Sequence, residues 1–114
     1  MLNLEVLGSG RVAYLEGEGF LRRYPFGREA VALAEEVARE PEFAEVRSLG
    51  NAPFATDALI ATRLGVPAIT IASLNDAGYV PHYHWTSDTP EHFDLRSVEQ
   101  AYRFCRRMIE RLTR

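Results

Sequence analysis

The sequence predicts a layered α/β domain in which a mixed sheet is flanked by helices. Segments with strand-like and helix-like apolar spacing alternate along all 114 residues. Turn signals are spread evenly between these segments, and no repeat, low-complexity tract or linker interrupts them. With 46% hydrophobic and 25% charged residues, the chain can bury a core of its own. We therefore expect a single domain over residues 1–114.

The first part of the chain predicts a β-hairpin followed by a surface helix. Residues 2–7 alternate apolar and polar side chains, and residues 11–15 resume the alternation after a glycine-rich turn. A second glycine-rich break lies at residues 17–19. Beyond Pro25 the apolar residues recur at helical spacing until Pro41, which is typical of a helix with one buried stripe.

The second part predicts a strand, a short helix, a strand and a long helix. Residues 43–49 are a weaker strand candidate, and Thr56 can cap a short helix that ends at Gly65. Residues 67–72 are mostly apolar, as in a buried strand. Asp94 can cap the last helix. The apolar face of that helix consists of Leu95, Val98, Ala101, Tyr102, Cys105, Met108, Ile109 and Leu112.

Charge and composition limit the classes of molecule that the chain could bind. The net charge of -3 provides no basic field, so nucleic acid and anionic membranes are poor candidates, whereas a peptide or a polar small molecule is plausible. No stretch approaches the roughly 18 apolar residues of a membrane span. The one cysteine, Cys105, can form no internal disulfide, which favours a reducing cytoplasm.

All three histidines lie in the irregular segment 73–93, between a buried strand and a helix. Strand ends of this kind commonly carry sites in α/β sheets. His84 and Asp88 could be a metal ligand and its orienting carboxylate. Alternatively, they belong to a turn that caps the next helix and faces water, and spacing alone favours this second interpretation. His82 could join a site or face solvent, and His92 precedes the helix cap.

Four motifs in sequence order carry a family resemblance. Residues 84–90 resemble a pattern of the form His-Thr-x-x-Asp-Thr-Pro, and residues 3–8 resemble Asn-x-Asp-x-x-Gly. Residues 56–58 resemble Ser-Asp-His, and residues 65–68 resemble Gly-x-Pro-Ala. Together they are similar to the C-terminal half of the catalytic domain of the di-zinc aminopeptidase family, which also contains glutamate carboxypeptidase-like zinc exopeptidases.

The resemblance implies a fold, a cofactor and a set of site residues. The fold would be half of a zinc-exopeptidase (phosphorylase/hydrolase-like) domain, and the cofactor would be zinc. His84 would be a ligand of one zinc and Glu5 a ligand of the other. Asp88 would support the loop, and Asp57 would be a capping residue or would orient a ligand. The substrate would be a peptide, and Tyr79 and Trp85 are candidates for lining its pocket.

This sequence departs from the family pattern at four positions. Glu5 stands where Asp is usual, which moves the carboxylate outward by about one bond length. Ala58 replaces the His that follows Asp57 in the family motif. Phe54 lies about where some relatives have a Tyr that polarises the substrate carbonyl, and Trp85 replaces the Thr after the ligand His.

The family's remaining ligands and its general base belong to a His-x-Asp pair and a Glu-Glu pair in the N-terminal half, for which this chain has no counterpart. Two hypotheses follow. The chain is a zinc-dependent, aminopeptidase-like exopeptidase module that is inactive alone and is completed by an N-terminal segment or a partner chain. Alternatively, it is a non-catalytic remnant or a self-associating interaction module. In both cases we expect a homo-oligomer, because half a sheet leaves an edge and an apolar face uncovered.

Overall fold

Two β-sheets and three helices build the fold. The computed structural model describes residues 1–5, 10–19, 22–52, 55–74 and 95–113, and the account below concerns these residues. The strands are β1 (Leu2–Glu5), β2 (Arg11–Tyr14), β3 (Gly17–Glu18), β4 (Tyr24–Pro25), β5 (Arg47–Ser48), β6 (Asn51–Ala52) and β7 (Ile69–Leu74). The helices are α1 (Arg28–Ala38), α2 (Asp57–Arg63) and α3 (Leu95–Leu112), with a 3-10 turn at Pro41–Phe43. The predicted layered α/β class is confirmed.

The larger sheet has four strands in the order β1-β7-β2-β5. β7 is parallel to β1 and antiparallel to β2, so the predicted hairpin of β1 and β2 is wrong. Alternating apolar residues show that a segment is a strand but not which strand lies beside it. β7 takes the place between them because it is apolar enough to be buried on both faces. β1 and β7 therefore lie side by side in one sheet.

The smaller sheet has three strands in the order β4-β3-β6. Its central strand β3 lies where the sequence predicted only a break. Gly17 allows β4 to approach closely, since a Cβ atom at Gly17 would lie 2.9 Å from the carbonyl oxygen of Tyr24. The predicted strand at 43–49 is also corrected: it begins as the 3-10 turn, and only β5 pairs, in parallel with β2.

The helices cover both faces of the larger sheet. Leu2 lines a groove with α1 and α3, whereas the next side chain along β1, Asn3, hydrogen-bonds to Thr56 at the start of α2. Successive side chains of a strand point to opposite faces, so α2 lies on the face opposite α1 and α3. The core on the α3 side includes Phe104, whose ring packs edge-on against Phe43 at 5.3 Å and is stacked with Tyr14 at 6.4 Å.

Helix boundaries agree with the sequence where the structure describes them. The Thr56 hydroxyl accepts a hydrogen bond from the Ala58 amide at 3.2 Å, which confirms the predicted cap of α2. The last helix is confirmed as α3, whereas its predicted cap, Asp94, lies outside the described residues. Among the helices that the structure describes, none is both long and apolar enough to cross a membrane.

Candidate functional site at the carboxyl ends of the parallel strands

Glu5 is the last residue of β1 and is paired in register with Ala72 of β7. Because β1 and β7 are parallel, their carboxyl ends lie at the same edge of the sheet. The Glu5 side chain is partly exposed there. The chain leaves β7 at Leu74, at the same edge, and continues into residues 75–94, which carry the predicted His84 motif. The edge that holds Glu5 is therefore the one at which an α/β sheet commonly carries its site.

A buried polar cluster lies next to Glu5 on the same face of β1. Asn3, two residues before Glu5, donates from Nδ2 to the hydroxyl of Thr56 at 2.9 Å and to that of Thr70 at 3.3 Å. Both hydroxyls in turn donate to one oxygen of Glu18, at 2.9 Å from Thr56 and 2.6 Å from Thr70. The four side chains join β1, β3, β7 and the start of α2.

Glu18 accepts every hydrogen bond that it makes in this cluster. Its other carboxylate oxygen accepts from the backbone N–H of Thr56 at 2.7 Å, and its side chain is fully buried. The Thr56 hydroxyl already accepts bonds from Asn3 and from the Ala58 amide, so its own proton points to Glu18. The donors therefore converge on the carboxylate and hold the start of α2 in place.

Glu18 is not predicted from the sequence as a functional or structural residue, although a signal for it is present. A glutamate between two glycines in a break is unremarkable by composition. The glycines are required by close backbone approach, however, which leaves Glu18 as the one side chain that β3 directs into the protein. A Gly-Glu-Gly sequence shortly after an apolar strand is thus a pattern by which a buried carboxylate of this kind could be sought.

Asp57 and Ala58 have clear positions in the structure. Thr56 is the cap of α2, so the predicted capping role of Asp57 is wrong. Asp57 is the first helical residue and is exposed, where its negative charge is favourable at the helix N-terminus. Ala58 is fully buried and supplies no ligand atom in place of the family's His.

The other predicted site residues lie outside the described residues. They are His84, Asp88, Tyr79 and Trp85, together with His82, His92 and Phe54. Their roles stay predictions.

The donor atoms of the described residues decide whether these residues alone could hold a metal ion. A catalytic zinc commonly takes three protein ligands and water. In the part of the chain that the structure describes, no group of three or more His, Cys, Asp or Glu side chains could hold a metal ion. Glu5 is a suitable oxygen donor, but the donors described do not by themselves fit a zinc ion.

Comparison with known proteins decides the family. The model of peptidase family M28 matches residues 1–109. The chain belongs to peptidase family M28. No curated protein and no solved structure matches it significantly.

Membership of M28 makes the chain a peptidase-like module of the hydrolase class. M28 peptidases are generally zinc-dependent. The match covers both Glu5 and the His84 motif, so the resemblance drawn from four short motifs is supported at the level of the family.

Proposed function

We propose that this chain is a zinc-dependent, aminopeptidase-like exopeptidase module of family M28 that needs further ligands from another segment or polypeptide. In this proposal Glu5 and His84 each contribute to a different metal. Asp88 supports the His84 loop, and Asp57 orients a ligand. Tyr79 and Trp85 line the pocket for a peptide, and zinc is the cofactor. The reaction is hydrolysis of a peptide bond near a free terminus, in the reducing cytoplasm.

One observation carries the proposal. Glu5 ends a strand parallel to β7 and shares its sheet edge with the point where the chain enters residues 75–94. A carboxylate in the first strand and a histidine more than seventy residues later can serve one site only if the fold brings both strand ends together. The parallel pairing of β1 with β7 meets this condition for Glu5.

The same strand offers a place for the missing ligands. β1 is at the end of the larger sheet. A further strand that paired with β1 would lie about 4.8 Å away and would bring its own side chains beside Glu5. The module and its completing segment would then form one sheet, with the ligands at one edge of it.

The test is a peptidase assay with added zinc. The chain alone and its Glu5→Ala and His84→Ala variants are incubated with aminoacyl and acylated peptides. We expect no appreciable turnover by any of the three and only weak zinc binding by the chain, because one ligand per metal does not hold zinc firmly. A general base within reach of the metal-bound water is also required.

Adding an upstream segment that carries His-x-Asp and Glu-Glu should restore turnover. That turnover should then fall on Glu5→Ala and on His84→Ala. Zinc-dependent turnover by the chain alone, abolished by His84→Ala, would contradict the incomplete-module proposal. Turnover that survives both substitutions in the completed protein would contradict the ligand assignment.

A further inference from the structure

Two arginines stack on one tyrosine between the smaller sheet and α2. The guanidinium carbon of Arg22 lies 5.4 Å from the centre of the Tyr24 ring, and that of Arg63, in the last turn of α2, lies 5.4 Å from the same centre. Tyr24 is partly buried in β4, whereas both arginines are exposed. The ring restricts the two guanidinium groups, so a ligand that binds them loses less of its binding free energy to side-chain ordering.

The positive charges of Arg22 and Arg63 lie close together. Each guanidinium carbon is 5.4 Å from the ring centre, so the two carbons are at most twice that distance apart. This is about one Debye length, ~10 Å at 0.1 M salt, so the charges repel each other. Among the residues that the structure describes, no carboxylate forms an ion pair with either arginine. An anion beside Tyr24 would be attracted by both charges.

Two exposed arginines of α3, by contrast, have acidic partners within their own helix. Arg103 pairs with Glu99 at 2.8 Å, and Arg106 pairs with Glu110 at 3.1 Å. The chain has more acidic than basic residues, with a net charge of -3. A pair of cations without such partners on an acidic chain points to an anionic group from outside.

Exposed apolar side chains lie next to Arg63 on α2. Ile60 is three residues before Arg63 and Leu64 directly follows it, so all three lie along one side of the helix. Ile60 is 60% exposed and Leu64 is 77% exposed. Ala58 lies on the opposite side of α2 and is fully buried, so the side with Ile60 faces away from the core. We define the α2–β4 surface as Arg22, Tyr24, Ile60, Arg63 and Leu64.

We propose that the α2–β4 surface binds an acidic segment of a partner polypeptide in which an apolar side chain adjoins one or more carboxylates. The carboxylates lie between Arg22 and Arg63, because a planar guanidinium group can donate two parallel hydrogen bonds to a carboxylate. The apolar side chain packs on Ile60 and Leu64. Tyrosine and arginine are also residue types that commonly contribute most of the binding free energy at protein interfaces.

The composition of this surface favours a polypeptide over other anionic partners. Nucleic acids bind through rows of phosphates, and anionic membranes bind clusters of about four to eight basic residues. The α2–β4 surface has only Arg22 and Arg63, and the net charge of -3 opposes both kinds of polyanion. A polypeptide can place a carboxylate and an apolar side chain next to each other, which matches the two parts of the surface.

The charges along α2 set the direction of the partner. Asp57 is the first residue of α2 and is exposed, at the end of the helix opposite to Arg63. Asp57 repels the partner's carboxylates, so they lie at the Arg63 end and the apolar side chain lies over Ile60. The inference goes beyond the proposed function, because it requires no catalytic activity and involves no residue of β1.

Selection from a library of random peptides displayed on phage tests the chemistry of the partner. We expect the full chain to enrich peptides in which Asp or Glu adjoins Leu, Ile or Phe. Fluorescence anisotropy then measures the affinity of an enriched peptide for the chain and its variants, and circular dichroism checks that each variant is folded. Raising the salt concentration should weaken the binding, because salt screens exposed charges.

A matched pair of double variants tests the role of the charges. Arg22→Gln/Arg63→Gln should weaken the binding at least about threefold, because it removes two exposed charge pairs. Arg103→Gln/Arg106→Gln removes two exposed arginines from α3 instead and should leave the affinity unchanged. Equal losses for the two double variants would overturn the proposal.

A second matched pair tests the apolar part of the surface. Ile60→Ser/Leu64→Ser should weaken the binding, whereas Leu95→Ser/Leu112→Ser, which changes two residues of similar exposure on α3, should not. The opposite result would overturn the proposal. So would enrichment of basic or uncharged peptides, or of none. A single-stranded oligonucleotide that displaces the enriched peptide and binds more tightly would overturn it in favour of nucleic acid.

Discussion

Cys105 shows how burial alone sets the chemistry of a single residue. Its thiol lies on the inner face of α3, and burial raises the pKa of Cys105 from 9.0 to about 11. A thiol reacts as its thiolate, which a buried apolar position disfavours. Cys105 is therefore a core residue rather than a reactive one.

We predict that Cys105 is protected from thiol reagents in the folded chain. The raised pKa by itself lowers the thiolate fraction at pH 8 by about a hundredfold. Labelling with an aromatic disulfide should be slow in buffer and fast in urea. The control is Ala32→Cys in a Cys105→Ala background, because position 32 is exposed on α1. Equal labelling rates for the two folded proteins would contradict the burial of Cys105.

The same pKa shift predicts a dependence of stability on pH. Because the pKa of Cys105 is higher in the folded chain, the thiol of the unfolded chain loses its proton at a lower pH. The contribution of the protonated thiol to the free energy of unfolding is complete below pH 9 and is lost as the pH rises through about 11. Urea unfolding at pH 8 and pH 10.5 should show a larger fall in the free energy of unfolding for the natural chain than for Cys105→Ala. Parallel falls in both would contradict the shift.

At the scale of the element, the smaller sheet depends on close backbone approach. β3, β4 and β6 have two residues each, too few for an alternating pattern to be recognised. Gly19, directly after β3, has φ +142°, and a Cβ atom there would lie 1.9 Å from the carbonyl oxygen of Arg22. Such a contact requires the backbone to move.

We predict that Gly19→Ala destabilises the chain by at least about 2 kcal/mol, since it combines a steric clash with an unfavourable φ. Gly27→Ala is the matched control. The Cβ atom would meet nothing within 4 Å at Gly27, where φ is -57°, so the cost should stay below about 1 kcal/mol. Urea unfolding measures both. A loss for Gly19→Ala no larger than for Gly27→Ala would contradict the role of Gly19.

At the scale of the whole molecule, Glu18 joins the two sheets. It belongs to β3 of the smaller sheet and binds Thr70 of the larger one, while Thr56 connects it to α2. A buried carboxylate is costly unless donors satisfy it. Here two hydroxyls and a backbone amide do so. Glu18 thus adds a side-chain connection between the smaller sheet, β7 and the start of α2.

We predict that Glu18→Gln lowers the free energy of unfolding by about 2 to 4 kcal/mol. The NH₂ group of Gln would replace one acceptor oxygen, so it would face either the two hydroxyl donors or the backbone N–H of Thr56 and leave them without an acceptor. Glu16→Gln is the control. Glu16 accepts a hydrogen bond from Ser48 but is partly exposed, so water can replace this hydrogen bond if the substitution weakens it. Its cost should stay below about 1 kcal/mol. Similar losses for the two variants would show that the acceptor-only arrangement is unimportant.

Local patterns by themselves determined much about this protein. Helical spacing between Pro25 and Pro41 predicted α1, and Thr56 predicted the start of α2. The apolar run at 67–72 predicted the strand that became β7. Four short motifs pointed to the family that the match over residues 1–109 supports. These features depend on neighbours within a few residues, and that is the range over which caps and periodicity act.

Only the tertiary structure decided how these elements pair. The hairpin predicted for β1 and β2 is replaced by two pairings with β7, one of which puts Glu5 beside Ala72. The role of Glu18 likewise depends on Thr56 and Thr70, which lie 38 and 52 residues away. Pairing and buried hydrogen bonds are settled by which distant segments meet, and a strand's alternating pattern is the same whichever neighbour it has.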